Sequence, residues 1–329
     1  MSTGDPAGLI HEADDQSVVV QDEGAERKIV ARSPMQLFWR RLRRDKVAMV
    51  ALAFIVLLVL IAIFAPAIVS IAGTPDPRTQ SSEALDVFGT PTGPSSAHPF
   101  GVDRLGRDVF SRTIYGSRVS LEVAFISTGI AVLIGVVIGL LAGFYRGWVD
   151  TVLSRFTDVV LAFPILLLGL GIAAACSGAD GCFGGLVQPG LSVVIMVIAV
   201  INWTYIARIV RGQVLSLREK EFVEAARSLG ASDRRIIVHE ILPNLLAPLI
   251  VYSSLLIPAN ILLEAALSFL GVGVSGGTPS WGAMISEATS LFPDAWWFML
   301  FPGIALLLAV LAFNLVGDGL QDALDPRRK

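Results

Sequence analysis

The sequence predicts an all-α membrane protein, a bundle of six spanning helices with a helix-turn-helix on its cytoplasmic side. Six uncharged apolar stretches, at residues 47–71, 123–144, 159–175, 191–207, 245–263 and 295–316, approach or exceed the roughly 20 residues needed to cross a 30 Å hydrocarbon layer. Of 329 residues, 54% are hydrophobic and 16% charged, against about 25% charged in a soluble domain. Twenty of the 25 Lys and Arg fall in segments that an even number of spans places on one side, which makes that side the cytoplasm and holds both termini there. Period-2 alternation is absent from the apolar stretches, so a porin-like barrel is excluded.

Taken in chain order, residues 1–26 hold seven acids and no Lys or Arg, the composition of a disordered tail. They lack the basic and then apolar regions of a secretory signal, so the first apolar run reads as a retained anchor. Residues 27–46 reverse the sign, with eight Lys or Arg against the single acid Asp45, and favour the cytoplasmic face. The tail, acidic and then basic, covers 1–32. Residues 33–46 read as an interfacial helix: Ser33 and Pro34 form an N-cap and N1 pair, and Met35, Phe38, Trp39 and Leu42 recur at helical spacing with arginines between them. Were this segment a continuation of the first span, four arginines would enter hydrocarbon at about 2.5–3.5 kcal/mol each.

The first span is 47–71, an outer loop occupies 72–118, a core of five further spans fills 119–317, and 318–329 is a cytoplasmic tail. The spans carry Pro66, Pro164, Pro248, Pro258 and Pro302, tolerated in membranes where neighbours satisfy the freed carbonyls. The second span holds Ala131, Gly135, Gly139 and Gly143 at four-residue spacing, a row that lets two helix backbones approach closely.

Chemistry-bearing motifs are few. No G-x-x-x-x-G-K-[ST] phosphate loop is present, and His11, His98 and His239 fall in three separate regions with no H-E-x-x-H or carboxylate cluster at metal spacing. ATP hydrolysis, a metal centre and intramembrane proteolysis are therefore not expected of this chain. Cys176 and Cys182 lie in the short outer loop between spans three and four, where Gly178 and Gly181 give the chain freedom to bring the sulfurs together in an oxidising exterior; two free thiols are the competing reading. Asn260 and Glu264, one turn apart at the end of span five, are expected to face the pathway as a gate or to contact a neighbouring helix, with a polar anchor at the outer interface as the alternative.

The most informative segment is the cytoplasmic loop at about 211–244. Phe222, Ala225, Ala226 and Leu229 recur on one helical face, Gly230 permits a turn, and Ser232 is placed to cap a second helix. An apolar stripe here is useful to a membrane protein only if something covers it: either a partner or the chain's own bundle. The turn is also superficially like a DNA-binding helix-turn-helix, but nucleic acid is not a sensible partner between two membrane spans.

Glu224-Ala225-Ala226-x-x-x-Gly230 followed by Leu242-Pro243 resembles the cytoplasmic signature of binding-protein-dependent ABC transporter permeases. The resemblance extends over roughly residues 35–328. Three further blocks resemble the dipeptide, oligopeptide and nickel branch: His98-Pro-Phe-Gly101-Val-Asp103-Arg-Leu-Gly106-Arg107-Asp108-Val-Phe-Ser111-Arg112, then Leu267-Ser-Phe-Leu-Gly271-Val-Gly273 with Pro279-Ser-Trp281-Gly282-Ala-Met284, then Phe313-Asn314-Leu-Val-Gly317-Asp318-Gly319-Leu-Gln-Asp322. Departures are Glu240 where an apolar residue is usual, Ser275-Gly276-Gly277 where prolines are common, and Gln321 where Arg is frequent. In the first block, the charges Asp103, Arg107, Asp108, Arg112 and Arg118 require internal pairing or water, which favours a structural part over direct contact with solute.

The resemblance implies a permease subunit in the bacterial inner, or plasma, membrane, surrounded by lipid and forming half of a pathway for dipeptides or oligopeptides. It also implies a second homologous permease, two ATPase subunits that carry the ATP and Mg, and an extracytoplasmic solute-binding protein; this chain would hold no cofactor. Phe222, Glu224, Ala225, Ala226, Leu229, Gly230, Leu242 and Pro243 would form the coupling surface against an ATPase. Nickel or another small solute is the alternative cargo within the branch. From a different class, an ion-coupled secondary transporter would use Glu264, or Asp158 with Arg155, but inverted repeats are not visible and the loop signature would have no purpose there.

Overall fold

The computed structural model describes residues 34–324 except 177, 179–180 and 274–276. The acidic tail, the Ser33 cap, Ser275-Gly276 and the basic C-terminal end lie outside the described residues.

Helix α1 (Pro34–Leu42) ends at a turn through Arg43 and Arg44, and α2 (Lys46–Ile63) begins where the Asp45 carboxylate accepts from Val47 N at 2.9 Å and Ala48 N at 3.0 Å. The two are thus separate helices, and the apolar side of α1 rests on another part of the bundle: Phe38 and Leu42 pack with Ala48, Leu320 and Ala323. The span expected at 47–71 is broken at Phe64, after which α3 (Ala65–Ile71) starts with Pro66 in its first turn, where the missing N–H costs no hydrogen bond.

Helix α4 (Val109–Tyr145) runs for 37 residues, about 55 Å at 1.5 Å per residue. It begins ten residues inside the expected outer loop 72–118, because Asp108 caps it, accepting from Ser111 N at 2.7 Å, and because the charges of its first turns are neutralised by tertiary contacts. Asp103, fully buried, receives Arg107 Nε at 2.6 Å and an Arg112 guanidinium N–H. Glu287 receives Arg107 Nη2 at 2.8 Å and Arg112 at 2.9 and 3.1 Å. His98 Nδ1 lies 2.8 Å from the second oxygen of Asp108. The charges around residues 98–112 are thus paired among themselves and with Glu287, and the block caps one end of the bundle.

Against α4 packs α7 (Leu191–Leu217), and the row of small residues is the contact. A β-carbon on Gly139 would stand 2.7 Å from the Ala207 carbonyl, one on Gly135 2.7 Å from that of Trp203, and one on Gly143 3.0 Å from that of Arg211. No real side chain fits at the first two distances, so α4 and α7 touch backbone to backbone over three turns.

The third expected span, 159–175, is not one straight helix. Helix α5 (Gly147–Ala162) and α6 (Ile165–Ala175) meet at 90° across Phe163 and Pro164. Proline holds the residue before it in extended backbone, and Phe163 is so placed at φ −81°, ψ 136°. With 11 residues, α6 is about 16 Å long and cannot cross alone. Five helices among the described residues are long and apolar enough to span, or six if this bent pair counts as one.

Beyond α7, the short α8 (Glu221–Ser228) and a single turn, α9 (Asp233–Arg235), lead through a π-helical segment, Ile236–Ile241, into α10 (Leu242–Phe269). Helix α11 (Trp281–Ala288) lies across the same end as the 98–112 block, and α12 (Trp296–Leu324) returns, eight residues further than the expected end of its span. Trp281 is buried, donates from Nε1 to Thr113 O at 3.0 Å and packs on Gly116; Gly282 sits against the Ala265 backbone. The second resemblance block thus fastens α11 between α4 and α10.

Candidate functional site

The loop at 211–244 has two faces, and they are not divided as the sequence suggested. Val223, outside the expected stripe, is fully buried with Ile236, Ile241, Leu245 and Val214, and Ala226 packs on that cluster. Phe222 (38% exposed), Glu224, Ala225 and Leu229 (88% exposed) face away from the chain. The stripe is therefore split: Ala226 belongs to the inner face, while Phe222, Ala225 and Leu229 make an uncovered outer one. Which side of an eight-residue helix turns inward is decided by Ile236 and Ile241 on the following segment.

Gly230 ends α8 with φ +80°. Its N–H donates to Arg227 O at 3.0 Å, and Ala231 N donates to Ala226 O at 3.0 Å, the paired bonds of a left-handed helix terminus. A β-carbon there would meet nothing within 4 Å, so glycine is required by backbone conformation alone. Ser232 occupies the N-cap position of the next turn, its carbonyl accepting the first helical bond from Ile236 N at 3.0 Å, but its side chain makes no capping bond.

Leu242 N donates five residues back, to Ile237 O, at the close of the π segment. Pro243 then enters at the first turn of α10. Its ring would press on the carbonyl of the residue four earlier in a regular α-helix, and the wider π turn just before it relieves that clash. Leu242 is half-buried and Pro243 exposed. Asn244 Nδ2 donates to Glu240 O at 2.6 Å.

The loop is fastened to the bundle by Arg218, just past α7. It donates to Phe144 O, one of the carbonyls left open by the end of α4, and lies over the Phe144 ring at 6.0 Å. Burial first, and then the positive charge of Arg146, hold its guanidinium below the ordinary arginine pKa. Arg146 pairs with Glu219 at 2.6 Å. The ends of α4 and α7 and the start of the loop are thereby one unit.

Asn260 and Glu264 are both fully buried inside the chain's own bundle, so neither lines an open path. Asn260 donates to Thr128 Oγ1 at 2.8 Å and receives Asn202 Nδ2 at 2.7 Å, tying α10 to α4 and α7. Glu264 accepts from Ser120 Oγ at 3.1 Å and Ser268 Oγ at 2.7 Å. Of the two expectations the geometry fits interhelix contact, because Asn260 bonds residues of α4 and α7 and one Glu264 oxygen accepts from Ser120 of α4, the other being held by Ser268 on its own helix. Cys176 and Cys182 stand with Cα atoms 4.9 Å apart and their sulfurs joined. Asp158 and Arg155 do not meet; Asp158 pairs with Arg208 at 2.9 Å.

Residues that the sequence did not single out include Val223, Asn202 and Glu287. Each acts through a partner far along the chain, and only the small size and helical register of Val223 left a local trace.

Comparison with known proteins agrees with this architecture. Residues 135–329 match the family described as the binding-protein-dependent transport system inner membrane component, and residues 33–86 the N-terminal TM domain of oligopeptide transport permease C. The dipeptide transport system permease protein DppC of Alkalihalophilus pseudofirmus is 42% identical over 92% of this chain and 93% of its own. The glutathione transport system permease protein GsiD is 40% identical in Pectobacterium atrosepticum, over 91% of this chain and 93% of the relative, and 41% in Escherichia coli O157:H7, over 91% and 92%. An inward-facing form of the MetNI methionine ABC transporter contains a chain that superposes with a TM-score of 0.55 at 19% identity, over 66% of this chain and 97% of that one, which shows a shared fold. The chain belongs to the inner-membrane permease components of binding-protein-dependent ABC transporters.

Proposed function

We propose that this subunit forms half of the transmembrane pathway of an ATP-driven importer of dipeptides or other short peptides, and that α8 and the Gly230 turn receive force from an ATPase subunit. The observation that carries the coupling assignment is the split of α8: Val223 anchors the helix to its own bundle while Phe222, Ala225 and Leu229 are left uncovered on the outside. An uncovered apolar edge on a helix whose opposite side is locked into a closed cluster is a surface available to a partner. The names of relatives about 40% identical over nine-tenths of the chain, for dipeptide and glutathione transport, support a short peptide as cargo.

In this reading a second homologous permease completes the path, two ATPase subunits bind and hydrolyse ATP with Mg, and a solute-binding protein delivers the peptide from outside. Both termini are cytoplasmic, since the side they share collects most of the Lys and Arg. The test is uptake of a labelled dipeptide into vesicles containing the purified complex. Uptake should require ATP inside and the binding protein outside, and should vanish when the phosphate-loop lysine of the ATPase subunits is replaced; uptake driven by an ion gradient without ATP would remove the reading.

A further inference from the structure

We infer that the outer mouth of this subunit carries a weak site for the two charged ends of a peptide, formed by Arg118 and Glu122 on α4. The inference rests on the peptide-importer reading above and names residues that meet its cargo.

Helix α4 contains three charged residues, and they are built in two different ways. Arg112 is buried, and its two terminal guanidinium nitrogens are engaged with Asp103 and Glu287. Arg118 and Glu122 lie on the exposed face, and among the described residues neither has an ion pair or a side-chain hydrogen bond. Both line a cavity of about 420 Å³ together with Asp76, Arg78, Tyr115 and Thr278. The same two side chains border an adjoining cavity of about 230 Å³ against Ala62 and Ile63, at the outer end of α2.

Arg78 and Asp76 are partly spent on local structure: Asp76 accepts from Arg78 N at 2.9 Å, and Arg78 reaches Thr278 at 3.4 Å. Arg118 and Glu122 are the cation and anion of this lining that, among the described residues, carry no polar side-chain contact; they stand four residues apart on one helix, with β-carbons about 6 Å from each other. A dipeptide in extended form separates its ammonium and carboxylate by about 7 Å. Arg118 suits the carboxylate, with two parallel N–H donors, and Glu122 suits the ammonium. A cavity of this size falls within the range of small-molecule sites. The site is open to water, so its hold is weak, as a path that must release its cargo requires. Below it the exposed side of α4 turns apolar, through Phe125, Ile126, Ile130 and Leu133, so the charged ends meet no second anchor on this helix further in.

The experiment uses the reconstituted complex with its binding protein and compares uptake of dialanine, its N-acetylated form and its C-amidated form, each corrected for its measured occupancy of the binding protein. In the unaltered complex the free dipeptide should exceed both blocked forms after correction. Arg118→Gln should erase the preference for a free carboxylate and Glu122→Gln that for a free amine, each lowering corrected dialanine uptake roughly three- to tenfold. Arg118→Lys and Glu122→Asp, which keep the charges, should retain the preferences. If the unaltered complex imports no dipeptide, the functional reading falls and this site with it. If it imports dialanine and the Gln variants keep its preferences, the site alone is wrong. Loss of the second permease from the purified Gln variants would assign the two charges to the contact between permeases and overturn the site.

Discussion

At the scale of single residues, the turn glycine and the buried glutamate make opposite predictions. Gly230 has open space where a side chain would go and a φ of +80°, so replacements should sort by backbone preference and not by size. Gly230→Asn, which tolerates the left-handed region, should keep uptake close to normal. Gly230→Val should cost about 1–2 kcal/mol locally and reduce retention of the ATPase subunits on affinity purification, while membrane insertion survives. Equal retention by both variants would detach this turn from coupling. Glu264 instead depends on what surrounds it. Leucine there would leave the hydroxyls of Ser120 and Ser268 facing an apolar side chain, at about 1–3 kcal/mol for each one left without a partner. Glutamine keeps an acceptor and offers a donor that a rotated hydroxyl can receive. Thermal unfolding in detergent should place Glu264→Gln near the unaltered protein and Glu264→Leu well below it, with uptake by the Gln variant preserved. Abolished uptake in a well-folded Gln variant would revive an ion-coupling part for this carboxyl.

Among the elements, the α4–α7 pair was legible in the sequence, because a glycine row at four-residue spacing is a local pattern with one geometric use. The start of α4 was not. Arg112 reads as a loop charge until Glu287, 175 residues away, is brought beside it. The bend between α5 and α6 was half legible: Pro164 marks the place, but nothing local states a right angle. The α8 stripe was legible as apolar and misread by one position, since 3.6-residue periodicity does not say which edge faces home. That edge now gives a paired test. Val223→Asp should place an unpaired charge in a closed cluster and lower the amount of folded protein severalfold, whereas Leu229→Asp should leave the amount and melting behaviour unchanged and weaken ATPase docking. Immunoblots of membranes alongside subunit retention read both; a yield defect in Leu229→Asp would return this face to the bundle. Between α4 and α7, Gly139→Val must push the helices apart, so loss of the monodisperse peak in size-exclusion chromatography is expected, with a cost above the roughly 1–3 kcal/mol of ordinary overpacking.

For the whole molecule, the asymmetry of Lys and Arg sets the orientation. Reporter fusions at Ala97 and Lys329 should signal the outside and the cytoplasm respectively; the reverse result would invert every surface assigned above. In that orientation the Cys176–Cys182 bridge would lie on the oxidising side of the membrane. Mass spectrometry of the non-reduced protein should find the two cysteines linked, and reduction should cost only about 2 kcal/mol, since six positions separate them.

The length of α4 has a mechanical meaning. One uninterrupted helix of 37 residues begins in the outer cap and ends at Tyr145, where Arg218 clips its last turn to the root of the cytoplasmic loop. Such a rod of about 55 Å behaves as a lever: a tilt of about 5° at the clipped end sweeps the far end through roughly 5 Å, with no helix melting and no side chain changing rotamer in between. Ile206, Val210 and Val214 of α7 sit in the glycine notches of the seam, so α7 is carried with the rod. Spin labels on the outer cap and on α12 should therefore report a distance change of several ångströms when nucleotide binds the ATPases, while labels spanning α4 itself should report none.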